Sequence, residues 1–259
     1  MRQTDQERTR RRLSAAALFA AALLLAGCSA VVSAAEPAGT VATPPATAPA
    51  PLTVPASAAP AGTIDARALL ATIPFKGKAP KTGYDRVGDF GPAWELPGQA
   101  CSTRDLILAR DLTDVVRDGP CRVTSGILHD PYTGKTISFR RGVATSAEVQ
   151  IDHRVPLANA WQTGAQQLSY AQRRQFANDP LNLVAVDGPT NAKKSDGDAA
   201  TWLPPVKSYR CEYVAAQVAV KAKYHLWAAP AEHDAIDRIL AGCAPVMVPG
   251  PGTATPAGR

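Results

Sequence analysis

No CxxC pair occurs in the 259 residues, which argues against a structural zinc site built on paired cysteines. Long apolar runs are also missing. The run Leu13 to Leu25 falls short of the roughly 20 residues that span a bilayer comfortably. A strong charge of one sign is lacking as well. Residues 1–28 hold five arginines against Asp5 and Glu7, so they carry +3 of the formal +6 and leave about +3 for the rest. That balance does not by itself announce a nucleic-acid binder, so any phosphate-binding surface must come from local clustering. Aromatic residues are sparse at 6%, and no stacking module frames the four tryptophans, which are read as core residues.

What is present begins with an export signal over residues 1–28, a basic stretch followed by the apolar run. Its end, Leu25-Ala26-Gly27-Cys28, resembles a bacterial lipobox. That resemblance implies that Cys28 is diacylated, becomes the first mature residue and anchors the protein to a membrane. The alternative is an ordinary signal peptide cut near Ala34-Ala35. Thr9 to Leu13 also loosely resembles a twin-arginine signal. Residues 29–62 are almost wholly Ala, Pro, Thr and Ser with one charge, Glu36. Such a segment cannot bury enough apolar surface to offset its ordering entropy and is read as a disordered tether. Residues 246–259 are read in the same way, which leaves residues 63–245 as one foldable domain.

Within that domain, the sequence predicts a helix from Asp65 to Ala71, irregular chain from Tyr84 to Trp94, and a helix capped by Thr103 that runs to about Arg110. Strands are predicted at Arg122 to Leu128, Thr136 to Phe139 and Val149 onward, and a further helix from Gly164 to Phe176. Leu181 to Val186 reads as an apolar strand interrupted by Asn182, and a helix starts at Thr190. Glu212 to Leu226 and Glu232 to Ala241 read as helices separated by Pro230. Setting Cys28 aside, four cysteines in an exported chain argue for two disulfides with three possible connectivities. An antiparallel pairing of the last two helices puts Cys211 beside Cys243, which leaves Cys101 for Cys121. The fold class is α+β.

The stretch Val149-Gln150-Ile151-Asp152-His153-Arg154-Val155-Pro156-Leu157 is the chemical centre. Its alternating apolar residues suit a short half-buried strand that delivers a carboxylate and an imidazole to a loop. Downstream, Asn182 breaks an apolar strand, and Asn191 and Lys194 fall in the first turns of the next helix. An asparagine inside an apolar strand needs specific hydrogen bonds, because leaving it unsatisfied costs about 1–3 kcal/mol.

This order resembles the HNH endonuclease superfamily, whose core is a ββα-metal finger, with Asp152-His153, Asn182 and Asn191 on its three elements. The HNH domain of RNA-guided CRISPR nucleases has the same pattern. Tyr84, Phe90-Gly91, Thr103-Arg104-Asp105, Asp130 to Gly134, Ala158 to Trp161, Phe176 to Pro180 and Trp202 to Pro205 extend the resemblance to secreted bacterial HNH proteins. Those are related to the C-terminal nuclease domain of GmrSD-type restriction enzymes. The resemblance implies such a finger embedded in a small mixed α/β domain with a C-terminal helical hairpin.

It also implies His153 as general base, Asn182 as the brace of the loop that bears it, and Asp152 with Asn191 as oxygen ligands of a divalent ion. Mg²⁺ suits hard oxygen donors, and Mn²⁺ is the other candidate. Lys194, Lys193 and Arg154 are the phosphate-binding candidates, within a wider basic group that includes Arg140, Arg141, Arg173 and Arg174. His129, His225 and His233 have no motif partner and are read as surface or structural. The expected partner is nucleic acid, DNA first, and no protein partner is inferred. The expected function is an exported, metal-dependent endonuclease of low sequence specificity. The alternatives are a catalytically inactive surface lipoprotein of the same fold and a nuclease acting on RNA.

Overall fold

The computed structural model describes residues 61–143 and 145–252. The expected signal segment with Cys28, the tether through residue 60 and residues 253–259 lie outside the described residues. The described chain opens with strand β1 (Thr63–Asp65) and helix α1 (Ala66–Leu70). Asp65 starts the helix because its carboxylate accepts the otherwise orphaned amides of Arg67 and Ala68 at 3.0 and 3.1 Å. Helix α2 (Arg86–Phe90) follows, where irregular chain is predicted; Asp85 caps it by accepting the Val87 amide at 3.0 Å. Helix α3 (Thr103–Asp111) is capped one residue earlier than predicted, by Ser102.

A three-stranded antiparallel meander comes next, β2 (Leu112–Asp118), β3 (Arg122–His129) and β4 (Thr136–Arg140). Strand β2 has no counterpart in the predicted elements, since a polar run with two register shifts carries little alternation. Strand β5 (Val149–His153) pairs antiparallel with β6 (Leu183–Asp187), and α6 (Gly188–Lys194) leaves β6 directly. The excursion between them holds α4 (Leu157–Gln162) and α5 (Tyr170–Ala177). The predicted single helix from Gly164 is a 3-10 turn followed by α5, because Ser169 and Gln172 form a capping box that restarts the helix. Helices α7 (Arg210–Lys223) and α8 (Pro230–Ala241) form the C-terminal hairpin. The disulfides are Cys211–Cys243 and Cys101–Cys121.

Residues Met247–Pro249, expected within a disordered tail, are strand β7, with Val248 opposite Ile64 of β1. Val248 is buried among the residues of α1 and α7, and burial of that side chain accounts for the ordering of the segment.

The β5–β6 ribbon lies between two apolar clusters. Val149, Ile151, Leu183 and Ala185 face α3 and the meander, while Val184 and Val186 face α1, α7 and α8. Burial on both faces explains why β6 reads as a continuous apolar run rather than an alternation. Its outer edge would expose unpaired backbone groups. Side chains cover it: Arg110 donates to the Leu183 carbonyl at 2.7 Å, and Asp111 and Asp130 accept the amides of Ala185 and Asp187 at 2.8 and 3.1 Å.

Candidate active site

Asp152 and His153 are the last two residues of β5, and both are buried. Beyond them the ladder ends, and the Asn182 side chain takes its place. Its Oδ1 accepts the Val155 amide at 2.8 Å, its Nδ2 donates to the Val155 carbonyl at 3.2 Å, and its backbone carbonyl accepts the Arg154 amide at 2.7 Å. Asn182 is 0% exposed, so these bonds replace water that cannot reach it. It precedes β6 rather than interrupting it. The backbone that follows His153 is thereby fixed.

The ring of His153 is fixed from two further sides. Nε2 lies 2.9 Å from the Ala177 carbonyl at the end of α5. A carbonyl can only accept, so Nε2 carries the hydrogen and Nδ1 keeps a lone pair. Trp94 stacks on the imidazole with centroids 5.7 Å apart and planes 14° apart. Burial lowers the imidazole from 6.5 to about 3; the Ala177 carbonyl opposes that, and the charges of Arg86 and Lys194 add to it. The ring is therefore neutral near pH 7, with Nδ1 as its acceptor.

Asp152 is held at both oxygens. Lys194 Nζ sits 2.9 Å from Oδ1 and 2.9 Å from the His153 carbonyl, and the Tyr132 hydroxyl donates to Oδ2 at 2.5 Å. Burial and the adjacent carboxylate keep the Tyr132 phenol well above its ordinary range, so it stays a donor. Lys194 is 2% exposed. The structure places the ammonium of Lys194, a residue expected to bind phosphate, against Asp152 inside the protein. Arg154, expected in the same role, is likewise buried. Its guanidinium turns inward to the Leu181 and Leu183 carbonyls at 3.1 and 3.3 Å and the Tyr209 hydroxyl at 3.1 Å.

Helix α6 supplies the other wall. Asp187 caps it by accepting the Thr190 amide at 2.9 Å. Its first residue must be glycine, because a Cβ on Gly188 would lie 2.0 Å from the Ala147 carbonyl oxygen. That close approach brings Asn191 and Lys194, three apart and so on one helical face, against β5. Asn191 donates Nδ2 to Gln150 Oε1 at 2.9 Å, which leaves its Oδ1 free to face a ligand.

Asp152, His153 and Asn191 line one cleft of about 310 Å³ with Lys81, Tyr84 and Arg86. Among the described residues no group of three or more His, Cys, Asp or Glu gathers as a closed metal cage. The cleft instead offers one carboxylate and one amide oxygen. That set fits a hard divalent ion that keeps most of its water, as Mg²⁺ does.

Lys193 is exposed and lines a neighbouring cleft with Lys78 rather than the one holding His153. Arg141 pairs with Asp105, while Arg173 and Arg174 bond the backbone of Asp89 and Glu95. Arg104 and Asp130 likewise bond backbone groups. The residues missed from sequence are Arg86 and Trp94 for the site and Tyr132 as the clamp on Asp152. Arg86 and Trp94 come from a stretch without periodicity, and no local spacing links them to Asp152-His153.

A model of the C-terminal domain of GmrSD restriction endonucleases matches residues 103–239. Asp152, His153, Asn182 and Asn191 fall inside that span, whereas Arg86 and Trp94 precede it. An uncharacterized secreted protein of Arthroderma benhamiae is 38% identical over 197 residues, covering 75% of this chain and 92% of that protein. No solved structure matches significantly.

Proposed function

The chain belongs to the family of the C-terminal domain of GmrSD restriction endonucleases, and from that premise we propose that it is an exported, metal-dependent endonuclease that hydrolyses DNA with little sequence preference. The observation that carries this reading is the cleft itself. It brings together a neutral imidazole with a free Nδ1, a fixed carboxylate and a free amide oxygen.

Hydrolysis of a phosphodiester needs a base for water, positive charge at the phosphoryl oxygens and relief of charge on the leaving 3′-oxygen. His153 Nδ1 accepts the proton of a water whose oxygen attacks phosphorus; the bond from phosphorus to the 3′-oxygen breaks, and that oxygen takes a proton from solvent. A base with so low a proton affinity is weak in the empty cleft. An arriving phosphodiester anion raises that affinity by placing negative charge beside the ring. Ala177 and Trp94 hold the ring so that Nδ1 keeps one direction, and Asn182 holds the backbone that carries it. Asp152 and the Asn191 amide oxygen would hold the divalent ion, which supplies Lewis-acid charge for the phosphate and the leaving oxygen. Mg²⁺ suits this donor set best, and Mn²⁺ suits it nearly as well.

Export is supported by the secreted relative and by the two disulfides, which persist in oxidising compartments. Anchoring through a diacylated Cys28 belongs to the same reading. No helix among the described residues is long and apolar enough to cross a membrane.

The test is nicking of supercoiled plasmid by the full chain in Mg²⁺, in Mn²⁺ and in EDTA, beside His153→Ala. Cleavage should require the ion and disappear in the variant while its melting midpoint stays measurable. Equal nicking by wild type and His153→Ala would sink the mechanism. Cleavage of an RNA duplex in preference to DNA would overturn the substrate.

A further inference from the structure

We infer that Arg86 is the side chain that receives the scissile phosphate, as a catalytic residue lying outside the part of the chain that the family model matches. This rests on the proposed nuclease reading and adds to it the group that contacts the substrate anion.

Five of the basic residues that cluster near the motif in sequence, Arg141, Arg154, Arg173, Arg174 and Lys194, already have protein groups as partners. The cleft has two other cations. Lys81 is bound to Asp196 at 2.9 Å. The Arg86 guanidinium forms no hydrogen bond or ion pair with any described residue, and the residue is exposed. An exposed arginine without a partner is ordinary on a protein surface. What is not ordinary is its position. Arg86 lines both the main cleft and the small cavity under Trp94, and His153 is common to the two.

The mount is firm. Arg86 is the first residue of α2, where Asp85 both caps Val87 and donates its own amide to Asp89 at 2.8 Å. The Asp89 carbonyl accepts from Arg173 at 2.8 Å, and Phe90 is buried against Phe176 and Trp161. A guanidinium on such a platform can donate two parallel N–H bonds to the non-bridging oxygens of a phosphodiester. The same anion would lie beside His153, which lines the cleft with Arg86.

The experiment uses the full chain with Arg86→Ala, Arg86→Lys and, as a charge control, Arg238→Ala on α8, an exposed arginine that lines neither cavity. The first readout is kcat and KM on bis(p-nitrophenyl) phosphate and on plasmid. The second is the salt dependence of binding to a short DNA duplex in a His153→Ala background. Arg86→Ala should lower kcat on the order of 100-fold, as loss of one transition-state donor does, with an unchanged melting midpoint. Arg86→Lys should recover part of that loss, and Arg238→Ala should match wild type. The slope of log K against log salt should fall by about 0.9 when Arg86 is removed. Turnover by Arg86→Ala within twofold of wild type overturns the inference while leaving the nuclease reading intact. If the wild type binds DNA without cutting it, the nuclease reading fails, and an unchanged salt slope then overturns the Arg86 assignment too. A wild type that neither cuts nor binds removes both.

Discussion

Lys194→Met separates the two roles that the site permits for this lysine. If Lys194 served as a phosphate contact, its loss would weaken substrate binding and leave folding alone. The structure instead has its ammonium 2.9 Å from a carboxylate that is itself 4% exposed. At that distance two unit charges attract by about 6 kcal/mol at an effective dielectric near 20. Much of this is offset by the cost of taking the ammonium out of water. The variant avoids that desolvation but strands Asp152, whose only other side-chain donor among the described residues is the neutral Tyr132 hydroxyl. Breaking a buried pair from one side costs roughly 3–5 kcal/mol. For a domain of this size each kcal/mol moves the melting midpoint by about 2–4 °C, so a fall of about 10 °C is expected in calorimetry with EDTA present. Asp152→Asn combined with Lys194→Met should be less damaging than Lys194→Met alone, because the stranded charge is gone. A midpoint within 2 °C of wild type for Lys194→Met, with DNA affinity reduced, would refute the burial argument and restore the lysine to the substrate.

Asn182→Ala leaves the buried Val155 amide without a partner and should cost about 2–4 kcal/mol in urea titration. Its residual activity should be lost in kcat rather than KM, because Asn182 holds the backbone behind His153 and does not line the cleft. For pH, the sign follows from a base whose folded value, about 3, lies below its unfolded 6.5. The contribution of His153 to stability is fully present above pH 6.5 and is lost as pH falls toward 3, reaching about 2 kcal/mol at pH 5 by linkage. His153→Asn should therefore lose less stability than wild type between pH 7 and pH 5, and parallel curves would show that the ring is solvated.

The ββα unit was legible because its information is local. Alternation marks β5, a continuous apolar run marks β6, and Asp187-Gly188-Pro189 marks the turn into α6. The disulfides were legible for a similar reason, since two helices joined by a short connection bring their far ends together. The fate of each cation was not legible. Lys194 and Arg154 sit beside motif residues, and nothing in their spacing says whether a side chain turns toward the cleft or the core. That depends on Tyr132, Tyr209 and the carbonyls of Leu181 and Leu183, which tertiary packing brings in. The ordering of Met247–Pro249 was hidden likewise, because its partner strand lies at the other end of the domain.

The same logic explains how a stretch without periodicity completes the site. The apolar residues of 84–94 follow no regular period, yet the segment is fixed at three points. Phe90 enters the cluster around Phe176, Arg173 bonds the Asp89 carbonyl, and Arg174 bonds the Glu95 carbonyl at 3.0 Å while crossing Gly91. Gly91 has φ +81°, and a Cβ there would meet Arg174 Nε at 2.9 Å, so the crossing depends on glycine. Farther along, Cys101–Cys121 ties the end of this segment to the start of β3. Two arginines that look like substrate-binding charge in the sequence are thus the staples of the segment that presents Arg86 and Trp94 to His153. Positive charge near a motif is weak evidence for contact with an anion. A cation that protein groups leave unpaired beside the base is stronger evidence, and here it comes from the segment upstream of the finger.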